Sequence, residues 1–562
     1  MITQRLPLFI ATILCLLMPS TTASAGTPVS TEKPGVRWWW PGSAVDKSNI
    51  SYSLHTFADC GIGAVEITPI YGVQGNEDRD IDFLSPEWMQ MLDYTMAVAD
   101  SVGIIVDMNC GTGWPFGGPQ VSIEDAACKV VVIDTIVTQR VAKRIMKDPM
   151  TTLANALKEK DREYAKVIAA SDYSTSVKGQ RRVIVLMQCP TRQKVKRAAP
   201  GGEGWVMDHF SRTAVKNYLS RFTDAFRSMG ERRPRAMFND SYEVYNADWT
   251  PTLPEEFLRR RGYDLLSKLR EFADADTLIM SDYRETLAEL LHENFTQQWT
   301  QWAHSEGMIT RNQAHGSPAN LIDIYATVDI PEIEGFGLSD FNIKGLRRDD
   351  GHTRPNYSDL SMLKYAPSAA HITGRRPASS ESFTWLTEHF RTSLSQMKPD
   401  LDLLFCAGVN HIFFHGACYS PKEDAWPGWR FYASIDMSPT NSIWRDAPNL
   451  MRYISRCQHW LQAGEPDNDV LVMLPVRNMW QRNMGKRLMQ FDIHSMSDKA
   501  PEFINTILSI DSLGYDCDSI SEQILLKTKA VNGKIKTEGG AEYKALVIPG
   551  KDVILSERLR ST

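Results

Sequence analysis

Two glutamates with apolar and aromatic neighbours are the residues best suited to chemistry in this sequence. Glu243 lies within residues 238–245, and Glu381 lies within residues 380–385. A solvated surface glutamate is not expected in such strings, because charged side chains are rarely buried unless they are paired. Two carboxyl groups that face each other can hydrolyse a glycosidic bond, one as general acid and the other as base or nucleophile. The residues alone leave open which glutamate is the acid.

Eight short apolar runs alternate with helical patterns and predict the strands that position these glutamates. Repeated strand-helix order predicts a parallel sheet, and eight repeats predict an α/β fold of the (β/α)8 barrel type. In such a barrel the carboxyl ends of all strands meet at one face, so Glu243 and Glu381 are expected to face each other across its mouth. The runs lie at residues 36–40, 64–70, 104–110, 236–240, 308–315, 331–334, 378–384 and 411–415.

The rest of the chain divides into three further predicted parts. Residues 1–25 have the charged, apolar and small-residue order of a signal peptide that is cleaved after Ala25. The barrel is expected within residues 26–465, with a β-rich insertion at 121–205 after the third strand, in which β-branched runs at 130–136 and 183–187 predict two strands. Residues 466–562 are expected to form a partial, truncated α/β domain. We therefore expect an exported protein, periplasmic or extracellular, with no transmembrane segment in the mature chain.

Further polar and aromatic residues follow the predicted strands at the same end of the barrel. Sugar hydroxyls require several donors and acceptors, and the apolar faces of sugars pack on aromatic rings. The two tryptophans, Trp114 and Trp385, are also compatible with a place in the core. His315, after the fifth strand, is also compatible with a role in capping that strand. The residues predicted to contact a polyhydroxylated ligand are Trp114, Arg311, His315, Trp385 and His415.

Composition and motifs exclude several other classes of protein. The net charge is −6 and no block of basic residues is present, so a nucleic-acid partner is not expected. No phosphate-binding loop, serine-hydrolase elbow or zinc-protease motif occurs. The glycine-rich segment 111–119 has Phe116 where a dinucleotide fingerprint requires its third glycine. An oligo- or polysaccharide is the expected partner.

Seven longer motifs resemble those of the glycoside hydrolase family 106 α-L-rhamnosidases. Several are rich in tryptophan and glycine, and the similarity extends from about residue 35 to about residue 550. The motifs are RWWWPG at 37–42, GTGWPFGGP at 111–119, VKRAAPGGEG at 195–204, NDSYE at 239–243, HGSP at 315–318, ESFTW at 381–385 and GVNH at 408–411.

The resemblance implies an inverting, calcium-assisted exo-hydrolase that removes terminal α-L-rhamnose from pectic polysaccharide. It implies that Glu243 is the acid, that Glu381 is the base and that Asp240 is a third essential carboxylate. It further implies that Glu334 is a ligand of Ca²⁺. Typical members continue into C-terminal β-sandwich domains, which this chain is expected to lack.

Two other hypotheses remain open. A related exo-glycosidase for another sugar, similar to a β-galactosidase, is compatible with the same barrel and with the α/β module that follows it. A truncated, non-hydrolytic carbohydrate-binding protein is compatible with the early end of the chain. Retention of both glutamates argues against the binding protein, since a protein that has lost catalysis has no need of them.

Overall fold

The computed structural model describes residues 31–354, 357–433, 435–483 and 485–561. The predicted signal peptide at 1–25 lies outside the described residues. Eight parallel strands close into one barrel, which confirms the predicted fold class, and the last strand pairs with the first. The strands are β1 (Gly35–Pro41), β2 (Ala64–Ile70), β3 (Ile105–Asn109), β4 (Ala236–Asn239), β5 (Ile309–Gln313), β6 (Ile330–Phe336), β7 (Ser379–Thr384) and β8 (His411–Cys418).

The helices that separate or follow these strands begin and end at recognisable capping residues. Ser85 accepts a hydrogen bond from the backbone N–H of Trp88 at 3.2 Å, and Gly103 ends the same helix in the left-handed conformation. The longer helices are Lys47–Cys60, Pro86–Val102, Arg212–Phe226, Leu253–Arg261, Thr277–Leu290, Gln298–Ser305, Tyr365–Thr373, Leu394–Cys406 and Ala447–Ala463. A π-helical turn, Leu291–Gln297, precedes Gln298–Ser305.

The insertion after β3 contains a three-stranded antiparallel sheet. Its central strand, Gln180–Pro190, pairs with Cys128–Thr138 on one side and with Lys166–Ser174 on the other. The sequence predicted the first two strands, within 183–187 and 130–136, but not the third. Lys166–Ser174 is an edge strand without a fully buried residue, and its apolar run at 167–170 is short and half alanine, a weak signal for a strand.

The segment after the barrel forms a small parallel sheet of three strands. The central strand β9 (Val470–Met473) lies between β10 (Cys517–Ile520) and β11 (Ala545–Val547), and the helix Pro501–Ser512 precedes β10. The buried guanidinium of Arg284, in the barrel helix Thr277–Leu290, donates four hydrogen bonds to backbone carbonyls of residues 480–487. The module is therefore fastened to the barrel through its backbone.

A layer of charged side chains fills the middle of the barrel. Arg311 on β5 is fully buried and forms ion pairs with Glu66 on β2 and Glu332 on β6. Its guanidinium carbon also lies 3.6 Å from the ring centroid of Phe413 on β8. Buried carboxylates require such partners, because an unpaired charge in the interior is costly.

None of the helices in the described part of the chain is both long enough and apolar enough to cross a lipid bilayer.

The buried ion pairs of Arg311 predict a large loss of stability when the cation is removed. We expect Arg311→Leu to lower the free energy of unfolding by about 3–5 kcal/mol, because it leaves Glu332 without its cation and Glu66 with Arg37 alone. Urea denaturation followed by tryptophan fluorescence measures this change. The control is Arg445→Gln, at a side chain that is 90% exposed. A loss similar to that of the control would contradict the structural role of Arg311.

Candidate active site

A cavity of about 450 Å³ opens at the carboxyl ends of the barrel strands. Its volume is within the range of small-ligand sites. The cavity brings together residues that lie far apart in the sequence, from Arg37 on β1 to His494 in the segment before the helix Pro501–Ser512. The predicted site residues that line it are Trp114, Asp240, Glu243, His315, Glu334, Glu381 and His415.

Arg37 on β1 joins the acidic groups at the floor of this cavity. Its Nη1 lies 2.9 Å from Glu381 Oε2 and 3.0 Å from Asp240 Oδ2, while its Nε lies 3.0 Å from Glu66 Oε1. Two oxygens that contact one nitrogen at these distances lie no more than about 5.9 Å apart. Arg37 therefore fixes the position of Glu381 relative to Asp240.

The contacts of Glu381 favour its ionised form. Gln313 donates to Oε2 at 2.7 Å, and Thr384 donates to Oε1 at 2.7 Å. Burial by itself raises the pKa of Glu381, but the charge of Arg37, the neighbouring His415 and these two hydrogen bonds together lower it to about 2. Glu381 is therefore a carboxylate at neutral pH, as a general base must be.

Two other carboxyl groups of the cavity are shifted in the opposite direction. Burial and the negative charge of Glu381 raise the pKa of Glu334 to about 7, although His315 Nε2 lies 2.8 Å from its Oε2 and opposes the shift. Burial likewise raises the pKa of Asp240 to about 6, against the effect of Arg37. Like charges in one buried site cannot all ionise easily. The cavity thus combines one ionised carboxylate with two that hold a proton more readily.

Glu243 lies on the loop after β4, at the side of the cavity that faces the insertion. Its carboxylate forms an ion pair with Lys196 and accepts a hydrogen bond from the Tyr245 hydroxyl at 2.9 Å. The insertion also holds the backbone of this loop, since Gln193 donates to Glu243 O and accepts from Tyr245 N, both at 2.7 Å. Glu243 is therefore positioned by the insertion as well as by the barrel.

Two predicted substrate contacts are wrong. Arg311 belongs to the buried ion-pair layer beneath the cavity, because its side chain lies two residues before that of Gln313 on the same inward face of β5. Trp385 is 1% exposed and packs edge-on against Phe383, so its ring is part of the core. Neither residue lines the cavity.

Several residues of the cavity wall were not predicted from the sequence. Arg37 was seen only as part of a motif, although a charge beside three tryptophans was a signal that it is paired. Tyr432 comes from the loop after β8. Gln490, Asp492 and His494 come from the segment after β9, which the sequence predicted as part of a separate module.

Backbone contacts explain how the module segment reaches the cavity. Gly316 N donates to Phe491 O at 2.8 Å, and Phe491 N donates to Ser317 O at 2.9 Å. Gln490 donates to the carbonyls of both Val244 and Gly316. A side chain at Gly316 is excluded, because its φ is 86° and a Cβ would lie 2.3 Å from Tyr242 O. The segment is thus part of the site and connects two loops that carry predicted site residues.

The described side chains do not fit a calcium site built by the protein alone. Calcium takes six to eight oxygen ligands in proteins. Within the ranges that the structure describes, no group of three or more His, Cys, Asp or Glu side chains is placed to hold a metal ion. One oxygen of Glu334 is already engaged by His315. Calcium at Glu334 stays a prediction that rests on the resemblance.

Comparison with known proteins decides the family. The sequence model of glycoside hydrolase family 106, described as alpha-L-rhamnosidase, matches residues 26–178 and 174–561. This chain belongs to glycoside hydrolase family 106. The family membership agrees with the barrel, and it agrees with the acidic cavity at the carboxyl ends of the strands.

One curated relative of this family 106 chain has a name that differs from the description of the family. A protein of Formosa agariphila, named as a proposed β-glucuronidase, is 24% identical over 612 residues, which cover 97% of this chain and 49% of the relative. The chain thus spans about half the length of that curated relative.

Two solved structures share the fold of the family 106 chain. A rhamnosidase from Novosphingobium sp. PP1Y superposes with a TM-score of 0.72 at 17% identity, covering 95% of this chain and 67% of the other. A β-galactosidase from the psychrophilic Marinomonas ef1 superposes with a TM-score of 0.53 at 12% identity, covering 94% and 74%. At these identities the likeness shows the fold alone.

The environment of Glu381 predicts a specific change in pH dependence. Arg37→Gln removes the cation that lowers the pKa of Glu381, so the pKa rises and Glu381 becomes protonated at a higher pH. We expect the acidic limb of the kcat/KM profile to move upward by at least about one pH unit. The profile is measured on an aryl glycoside, with Arg445→Gln as the control. An unmoved acidic limb would mean that ionisation of Glu381 does not limit the reaction.

The poor calcium donor set predicts little effect of the ion on the sugar-free protein. We expect the melting temperature to be the same with excess EGTA and with excess Ca²⁺, because a ligand that binds only the folded protein would raise it. Differential scanning fluorimetry measures this, with Mg²⁺ as the ionic control. A calcium-specific rise in melting temperature would reveal a site that the described side chains do not show.

Proposed function

We propose that this protein is an exo-acting α-L-rhamnosidase that removes terminal rhamnose from plant pectic polysaccharide with inversion. The observation that carries the proposal is the cavity itself, in which an ionised Glu381 on β7 and Glu243 beyond β4 line one space of about 450 Å³. Family membership supports the choice of sugar. Export by the predicted signal peptide is part of the same proposal.

Glu381 is proposed as the general base. In an inverting reaction, the base removes a proton from the water that attacks the anomeric carbon. The contacts with Arg37, Gln313 and Thr384 hold the carboxylate ionised and leave it little rotational freedom. A fixed base placed beside the sugar can orient the attacking water before the bond breaks.

Glu243 is proposed as the general acid, which protonates the leaving oxygen. This role requires that Lys196 leave the carboxylate when substrate binds, because an adjacent ammonium favours the ionised form. The Lys196 ammonium lies 5.5 Å from the ring centroid of Trp114 and 5.9 Å from that of Tyr245, so both rings can retain it by cation–π attraction. Asp240 is the alternative acid, since burial raises its pKa to about 6.

The two roles predict different responses to the leaving group. Glu243→Gln should reduce kcat by at least about a hundredfold on a rhamnoside with a poor leaving group. The loss should be far smaller on 2,4-dinitrophenyl α-L-rhamnoside, whose leaving oxygen needs no proton. Glu381→Gln should lose activity on both substrates, because water still needs a base. Steady-state kinetics on the two substrates measure the effect.

A matched variant and the product configuration complete this experiment. Asp240→Asn is compared with Glu243→Gln, and the variant that is rescued by the better leaving group identifies the acid. NMR of the first product formed should show β-L-rhamnose, the inverted anomer. First formation of the α-anomer would point to retention, and near wild-type turnover of both glutamate variants would refute the assigned pair.

Because the Formosa agariphila relative is named as a β-glucuronidase, a uronic acid is the alternative to rhamnose as the sugar that is removed. An aryl panel with α-L-rhamnoside, β-D-glucuronide and β-D-galactoside separates the candidates. Cleavage of the rhamnoside alone supports the proposal. Cleavage of the glucuronide or the galactoside instead would mean that the same two carboxylates hydrolyse a different sugar. Binding without cleavage would favour the non-hydrolytic hypothesis.

A further inference from the structure

A short segment of the insertion, residues 195–197, crosses the rim of the cavity next to Glu243. The backbone of Lys196 pairs in both directions with that of Trp114, at 2.8 and 3.1 Å. Tyr71 N donates to Arg197 O at 3.1 Å. These hydrogen bonds join the segment to the loops after β2 and β3, so the side chains of Lys196 and Arg197 project from a fixed backbone.

Arg197 has an unusual conformation and no acidic partner. Its φ is 60°, a left-handed value that is uncommon for a residue with a side chain and is retained only where surrounding contacts enforce it. The side chain is exposed, and its guanidinium carbon lies 4.1 Å from the ring centroid of Tyr432. Among the residues that the structure describes, no carboxylate lies within ion-pair distance of Arg197.

The rings beside this segment are available to a ligand. Tyr432 is 50% exposed and Tyr245 is 47% exposed, and both line the cavity. Tyr245 contacts Glu243 directly. Exposed aromatic rings in a cavity wall can pack on the apolar face of a sugar, and an arginine held flat on such a ring presents its N–H groups in a fixed plane.

The position of this group relative to Glu243 decides which part of the substrate it would meet. A general acid lies beside the leaving oxygen, so the leaving sugar must extend past Glu243. Lys196 and Arg197 place two positive charges at this rim, whereas Asp240, Glu334 and Glu381 lie deeper in the cavity. A carboxylate is the group that a planar guanidinium without an acidic partner binds best in bidentate geometry.

We propose that Arg197 binds the carboxylate of a uronic acid in the leaving group, while Tyr432 and Tyr245 pack against the ring of that sugar. The inference rests on the proposed function in one respect, that the leaving sugar lies beside Glu243. The insertion would thus determine a preference for an acidic leaving sugar, because its segment 195–197 supplies the positive charge. When the substrate displaces Lys196 from Glu243, the Lys196 ammonium can add a second positive charge to this carboxylate-binding subsite.

The test compares two disaccharides that differ only in the charge of the leaving sugar. One has α-L-rhamnose linked to methyl galacturonide, and the other has the same linkage to methyl galactoside. We expect wild-type kcat/KM to be about tenfold higher for the acidic substrate, as one charge-assisted contact provides. Arg197→Gln should reduce this ratio to near one. Equal kcat/KM for the two substrates in the wild type would overturn the proposal.

Two further variants separate charge from structure. Arg197→Lys keeps the charge but loses the planar fork, so it should retain only part of the preference for the acidic substrate. Arg445→Gln removes an arginine from an exposed site and should leave the ratio unchanged. An unchanged ratio in Arg197→Gln would mean that the arginine only supports Tyr432.

A binding measurement keeps this inference distinct from the choice of glycone. Methyl galacturonide and methyl galactoside are titrated separately into the wild type and Arg197→Gln, and binding is followed by ligand-observed NMR. We expect tighter binding of the galacturonide to the wild type only. This readout needs no turnover, so it decides the subsite even where the aryl panel selects another sugar. Equal binding of both probes to the wild type would refute the anionic subsite.

Discussion

The active site depends on the pairing of a buried arginine with acidic residues from three other strands or strand ends. Arg37 is 3% exposed and contacts Glu66 on β2, Asp240 beyond β4 and Glu381 on β7. Carboxylates at this depth are stable only beside a cation. Beneath it, Arg311 forms ion pairs with Glu66 and Glu332, so Glu66 links the two arginines. The charged core of the barrel and the floor of the cavity are therefore one connected network.

This network also separates the protonation states of the carboxyl groups. Glu381 receives two hydrogen bonds and the charge of Arg37, and its pKa is lowered to about 2, whereas burial raises that of Glu334 to about 7. β6 and β7 pair in register at these two residues. The adjacent position means that ionisation of Glu381 itself raises the pKa of Glu334. The strand register and the one-sided position of Arg37 thus give an ionised Glu381 beside a carboxyl group that retains its proton more readily.

The sequence predicted the barrel because its strands are buried apolar runs, and it predicted Glu381 and Glu243 because both lie in such strings. The sequence did not predict residues whose role depends on the direction of a side chain or on contacts with distant parts of the chain. Arg311 and Gln313 share one face of β5. Gln313 contacts Glu381 at the floor of the cavity, whereas Arg311 lies deeper and pairs with Glu66 and Glu332. Trp385 directly follows β7, the strand of Glu381, yet its ring packs in the core. No local pattern shows that residues 490–494 hydrogen-bond to loops near positions 244 and 316.

The insertion and the C-terminal module are consequently parts of the site. Gln193 and Lys196 hold the loop of Glu243, while Gln490 joins the carbonyls of Val244 and Gly316. Arg284 fastens the module by four hydrogen bonds to its backbone, which limits how far residues 490–494 can move from the barrel. The barrel strand β7 supplies Glu381, whereas the side of the cavity that holds Glu243 is shaped by segments outside the barrel. The residues around Glu243 can therefore change in these segments while the arginine network that holds Glu381 remains intact.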